Sequence, residues 1–290
     1  MSIGNTHPVS QRVAAGLVSV WFGAVLVVAL MPGLPARGLE PDHGLIGTTR
    51  IHEAATRSPH RSAPRISLYG DSLISEAAQD FASLASRAGA SVQVHAFPGT
   101  SPCDFFTSMA TAAHDWHPTV AVLVFSGDVF TACNGGVQVG TKQYYAKYRV
   151  ETRAAIRIFR SAGADVVLIG QPADSTARLT RNGSVLNQVY RSIARASTGG
   201  VRYADAGQAV LSKGRFTWSL PCLAGEPCTG PHGTNIVRSP DGVHFCPDGR
   251  TTPDRGLEVC DVYSSGAFRF ASAMLKAALG AGVRAVTPHG

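Results

Sequence analysis

Five short apolar runs, separated by stretches with helical spacing, dominate the chain between residues 65 and 279. The runs fall at 66–69, 91–97, 120–125, 165–169 and 201–203. Most are continuous in Val, Ile, Leu and Ala rather than alternating with polar residues, which is the pattern of strands buried on both faces of a parallel sheet. Between and after them, 73–88, 144–162, 185–196 and 266–279 read as helices. In the second of these, Tyr144, Tyr148, Ala155, Ile156 and Phe159 form one inner stripe. The alternation predicts an α/β three-layer sandwich around a central, mostly parallel five-stranded sheet. Functional loops in such a sheet lie beyond the carboxyl ends of the strands. Ser72, Gly99, the 126–128 turn and Gln171-Pro172 all fall at such ends.

Two motifs at opposite ends of this pattern carry chemistry. Gly70-Asp71-Ser72-Leu73 closes the first run and exposes a serine at a tight turn, and Asp241-Gly242-Val243-His244 sets a carboxylate three residues before an imidazole. A serine hydroxyl is a poor nucleophile unless a base takes its proton, and the base needs a carboxylate to fix its tautomer and stabilise the imidazolium. Ser72 as nucleophile, His244 as general base and acid, and Asp241 as orienter supply that set. Taken singly, Ser72 could simply cap the following helix and His244 a loop; their joint occurrence in this order favours catalysis. His232 is the other histidine worth following, with a surface role expected.

At these residues the sequence resembles the SGNH (GDSL-type) hydrolase family. Gly70-Asp71-Ser72-Leu73 matches its first block, Gly99 after Phe97-Pro98 its second, and Asp241-x-x-His244 its last, in order, over roughly 65–282. The resemblance implies a flavodoxin-like SGNH fold, an acyl-enzyme on Ser72, and a structural role for Asp71 in the block-one turn. It also implies an oxyanion hole built from the N–H groups of Ser72 and Gly99 and a third-block Asn side chain. Here the chain departs from the pattern: aligning on Gly127 puts Asp128 where the Asn is expected. An ionised carboxylate cannot donate and repels developing negative charge. Three resolutions stand open, with the first favoured: the two backbone donors suffice, Asp128 is protonated in a dry site, or Asn134 reaches in.

Residues 13–36 carry no charge, Arg12 precedes them and Pro32-Gly33 interrupts them. Their length lies between a secretory h-region and a spanning helix, and no clean cleavage site follows. An uncleaved N-terminal anchor (1–36) is expected in preference to a cleaved signal, with 37–64 as a polar linker and 65–285 as the hydrolase domain outside the cytoplasm. All six cysteines lie beyond the apolar segment, and an even count in an exported domain reads as disulfides. No Cys-x-x-Cys occurs, so neither zinc nor any other metal or cofactor is expected. Counting does not fix connectivity; the fold should bring together Cys103 with Cys133, Cys222 with Cys228, and Cys246 with Cys260. The segment 213–240, rich in Gly, Pro and Cys, is expected to form a long ordered loop walling the site's mouth.

The net charge of +7 comes from scattered arginines, without a basic run interleaved with aromatics, which argues against nucleic-acid binding. The run Pro98 to Asp104 with its Cys133 counterpart looks like extracytoplasmic SGNH domains that accompany membrane acyltransferases. That resemblance implies a serine esterase or acyltransferase acting on O-acyl esters of cell-envelope glycans or on small esters. The rival expectation is a non-catalytic glycan-binding module on the same fold.

Overall fold

The structure, a computed structural model, describes residues 63–280. The expected membrane segment and nearly all of the linker lie outside the described residues. Among the described residues no helix is long and apolar enough to cross a membrane.

The central sheet has five strands in the order β2-β1-β3-β4-β5: β1 (Arg65–Gly70), β2 (Ser91–Ala96), β3 (Val120–Val124), β4 (Asp165–Ile169) and β5 (Val201–Ala204). Every neighbouring pair in it is parallel, so the expected "mostly parallel" sheet is wholly so. Helices α1 (Ser72–Arg87) and α5 (Ser265–Leu279) cover one face; α3 (Lys142–Ser161) and α4 (Ala177–Ala196) cover the other. The strand period of two divides the apolar runs between these layers. On β3, Val120, Val122 and Val124 join the core under α1 and α5, while Ala121 and Leu123 join the core under α3 and α4. That double burial is why the runs are continuously apolar.

Several elements extend or replace the expected ones. Helix α4 begins at Ala177, two turns earlier than the apolar spacing indicates, because Thr176 caps it by accepting from the Leu179 N–H at 3.3 Å. Between β2 and β3 the chain forms a 3₁₀ turn (Pro102–Phe105), the short helix α2 (Phe106–Thr111) and a π turn (Ala112–Trp116). The long segment 213–240 is not a plain loop: β6 (Ser219–Pro221) pairs antiparallel with β7 (Thr234–Ile236). It is fixed to α5 through Glu226, which accepts from Arg269, Tyr263 and Ser265 at 2.8, 2.8 and 2.9 Å. A second hairpin, β8 (Thr251–Asp254) with β9 (Leu257–Cys260), lies between the histidine motif and α5. Its strands are short and partly polar, so no apolar pattern announced it.

Candidate active site

The site forms beyond the carboxyl ends of β1, β3 and β4, where each strand hands over to a turn. Gly70 ends β1 because nothing larger fits: a Cβ there would collide with the Ile74 side chain and the Val124 carbonyl. Asp71 then caps α1, accepting from the Leu73 N–H at 3.2 Å, and Ser72 opens the helix. The N–H groups of a first turn have no helical partner, so the serine sits among free donors. The other Asp71 oxygen accepts from the N–H of Ser126 and, at 2.7 Å, from its hydroxyl. Asp71 therefore ties the block-one turn to the loop after β3.

His244 arrives from the far end of the chain. Its Nε2 lies 2.9 Å from Ser72 Oγ, and its Nδ1 lies 2.6 Å from Asp241 Oδ2. The other Asp241 oxygen accepts from the N–H groups of Val243 and His244 at 2.8 and 3.1 Å, which folds the four residues into a closed turn. Gly242 makes that turn possible: its φ is +74°, and a Cβ there would strike Ser175. Burial alone would raise the Asp241 pKa, but the imidazole and the two N–H groups outweigh it and hold the carboxyl below its ordinary range. For His244 burial favours the neutral ring, yet Asp241, Glu76 and Asp71 together raise its pKa above the usual value.

Two side chains that support this turn, Arg238 and Glu76, have no motif in the sequence, and the expected Cys246–Cys260 bond is a third support. Arg238 is only 1% exposed and donates to the carbonyls of Val243 and Ala173, each at 2.7 Å. Its guanidinium lies 5.2 Å from the centre of the Phe245 ring and 5.9 Å from that of Phe216. Buried Glu76, on α1, accepts from the Phe245 N–H at 2.6 Å, and Cys246–Cys260 bonds the next residue to β9. A buried charge a few residues from a motif leaves no periodic trace, so only packing reveals it.

The other two disulfides are Cys103–Cys133 and Cys222–Cys228, and no cysteine among the described residues is free. Cys103–Cys133 fastens the turn after Gly99 to the loop after β3. Three disulfides are the cysteine usage of an oxidising, extracytoplasmic compartment.

The loop after β3 is held from below by three tyrosine hydroxyls. Tyr190 donates to the Phe125 carbonyl at 2.9 Å, Tyr144 to that of Gly127 at 2.9 Å, and Tyr148 to that of Asp128 at 2.5 Å. They fix the backbone that presents Asp128. The Asp128 carboxyl is pushed up to about 7, first by burial and then by the Asp71 charge, against the pull of His244 and the Gly99 N–H that faces it. Asn134 does not serve in its place: its amide nitrogen is spent on Ser101 Oγ at 2.8 Å, beside the Cys103–Cys133 bond. His232 is exposed on the β6–β7 segment. Trp218, just before β6, lies near the site: a Cβ on Gly242 would meet its ring edge at 3.4 Å.

A family model described as "Protein of unknown function (DUF459)" matches residues 65–254. The chain belongs to this family. The motif blocks of the chain and its wholly parallel sheet resemble those of the SGNH type. No curated protein matches the sequence. Among solved structures, the chain is similar to a protein described as an acylhydrolase from Bacteroides fragilis, at 14% identity and a TM-score of 0.44 over 64% of this chain and 80% of that one. A lipase/acylhydrolase from Enterococcus faecalis matches at 16% identity and TM-score 0.39 over 51% and 83%. A catalytic mutant of an acetylxylan esterase from Geobacillus stearothermophilus matches at 11% identity and TM-score 0.38 over 50% and 77%.

Proposed function

We propose that the chain is a serine ester hydrolase that works through an acyl-enzyme on Ser72. The observation that carries this reading is the continuous chain of contacts from Ser72 Oγ to His244 Nε2 at 2.9 Å and from His244 Nδ1 to Asp241 at 2.6 Å. In the acylation step Ser72 Oγ forms a bond to the ester carbonyl carbon while His244 takes its proton. Collapse of the tetrahedral intermediate breaks the carbon–oxygen bond, and the imidazolium returns the proton to the leaving alcohol. Asp241, held ionised, stabilises that imidazolium. Water, or an acceptor hydroxyl in the transfer variant of the reaction, then releases the acyl group by the same steps in reverse.

The oxyanion is assigned to the N–H groups of Ser72 and Gly99 together with Asp128, whose protonated carboxyl is a donor where the family pattern has an amide. The substrate class is O-acyl esters, with cell-envelope glycans as the bearers of the ester. The N-terminal apolar segment, as anchor or export signal, sets the chain at the envelope. The disulfides and the motif resemblance support that placement.

One observation favours the rival reading, a non-catalytic glycan-binding module: the Asp128 carboxyl faces the Gly99 N–H, and when ionised it would block the oxyanion hole. A fluorophosphonate probe separates the two. Covalent labelling at Ser72, with p-nitrophenyl acetate turnover, supports the hydrolase; an unlabelled Ser72 in folded protein removes it.

A further inference from the structure

Beside Ser72 the structure holds a cavity of about 360 Å³. It is lined by the 126–128 loop with Phe130 and Val139, by Pro172 with Leu179 and Gly183 of α4, and by Leu73 and Val243, the neighbours of Ser72 and His244. Several of its polar lining groups are already occupied. The Tyr144 hydroxyl donates to Gly127, the Gln171 amide nitrogen to the Ile169 carbonyl, and the Asn182 side-chain oxygen accepts from Tyr145. What remains open to a ligand there is mainly apolar surface, with Asp128, Asp174 and Arg178 as the charged lining groups and the Gln171 side-chain oxygen without a partner. A hydroxyl-rich ring would leave most of its own groups unpaired along the apolar stretches of such a space, whereas an alkyl chain would not.

Gly183 is the second observation. It lies in the interior of α4, a 20-residue helix, with ordinary helical backbone. Glycine is the poorest helix former apart from proline, and no close packing requires it here. A Cβ would meet nothing nearer than Gln171 Cβ at 3.9 Å and the Pro172 carbonyl at 4.0 Å. The residue spends helix stability to leave empty space, and that space lines the cavity. Leu179, one turn earlier on the same helix face, lines it as well.

Resting on the hydrolase reading above, we infer that this cavity receives the acyl chain of the substrate, that the chain is of medium length rather than acetyl, and that Gly183 and Leu179 set its depth. Each methylene brought into such a site strengthens transition-state binding by up to about fourfold.

The experiment compares kcat/KM for p-nitrophenyl acetate, butyrate, octanoate and laurate in the full chain and in Gly183→Leu and Leu179→Ala, after fluorophosphonate labelling has been read. The measured quantity is the ratio of long to short ester within each protein, so a general loss of activity cancels. In the parent the octanoate-to-acetate ratio is expected to exceed about tenfold. Gly183→Leu should collapse it toward one, and Leu179→Ala should move the optimum toward laurate. A labelled parent that prefers acetate, or a ratio that neither variant shifts, overturns the inference and leaves the hydrolase reading intact. A parent that does not label overturns the hydrolase reading and the inference with it.

Discussion

Arg238 donates through Nη1 to the carbonyl of Val243 at 2.7 Å, one residue before the imidazole. The same guanidinium reaches the Ala173 carbonyl from its other nitrogen, so a single buried cation joins the loop after β4 to the histidine turn. Burial lowers its pKa to about 10, while Asp174, Asp241 and Glu76 oppose that shift, so it remains charged at neutral pH.

Replacing it by Met should therefore do two things. Two buried carbonyls lose their donors, at about 1–3 kcal/mol each, and the melting temperature falls by about 2–4 °C per kcal/mol for a domain of this size. Arg238→Lys, which keeps the charge but not the two-pronged reach, should recover part of the stability and less of the kcat. Thermal unfolding and esterase assays on both variants check this. A Met variant as stable and as fast as the parent would show that Arg238 only fills space.

The contacts of Ser72, His244 and Asp241 form one line, and groups that act as a unit lose activity together. Ser72→Ala and His244→Ala should each remove nearly all turnover of p-nitrophenyl acetate, and the double variant should be no worse than either alone. Asp241→Asn should leave a small remainder, because the ring keeps a neighbour but loses the charge that stabilises its protonated form. Full activity in Ser72→Ala would end the hydrolase reading.

Much of this architecture was readable in the residues. Ser72 and the Asp241–His244 pair are short-range motifs, and strands buried on both faces write themselves as continuous apolar runs. The register that puts Gly70 beside both Ala96 and Val124 brings the loops after β1, β2 and β3 to one edge, as the parallel sheet required. The supports of the site were not readable. Arg238, Glu76 and the three loop-holding tyrosines act through contacts across 5 to 169 positions of sequence, and their residue types are common in other roles. The hairpins β6–β7 and β8–β9 were hidden for another reason: their order comes from Cys222–Cys228, Cys246–Cys260 and the Glu226–Arg269 pair rather than from an apolar face.

Cys103–Cys133 closes a loop of 30 residues that includes β3 and Asp128 and begins four residues after Gly99. In the chain-entropy account such a loop is worth about 3–4 kcal/mol. Alkylation of denatured, unreduced protein should find no free thiol among the six cysteines. The Cys103→Ser/Cys133→Ser double variant should lose stability of that order, with kcat falling more than KM rises because Gly99 and Asp128 are no longer held together. Stoichiometric thiol labelling of unreduced protein would overturn both the pairing and the compartment argument.

The last prediction concerns Asp128, where this chain departs from its family pattern. The base must be neutral to accept the Ser72 proton, so the rate should rise with pH through the raised pKa of His244. The assigned donor must be protonated, so the rate should fall again as pH passes about 7. These two limbs overlap, and the apparent values belong to the coupled pair rather than to either residue. The parent should accordingly show a bell near neutrality. Asp128→Asn supplies a donor that cannot ionise and removes a negative charge facing His244. The alkaline limb should disappear, the acid limb should move to lower pH, and the rate above neutrality should rise by about tenfold or more, up to the ~10²–10³ seen for one oxyanion donor. Single-turnover acylation against pH, for both proteins, measures each limb directly. An alkaline limb that persists unchanged in the Asn variant would assign it to another group and remove Asp128 from the oxyanion hole.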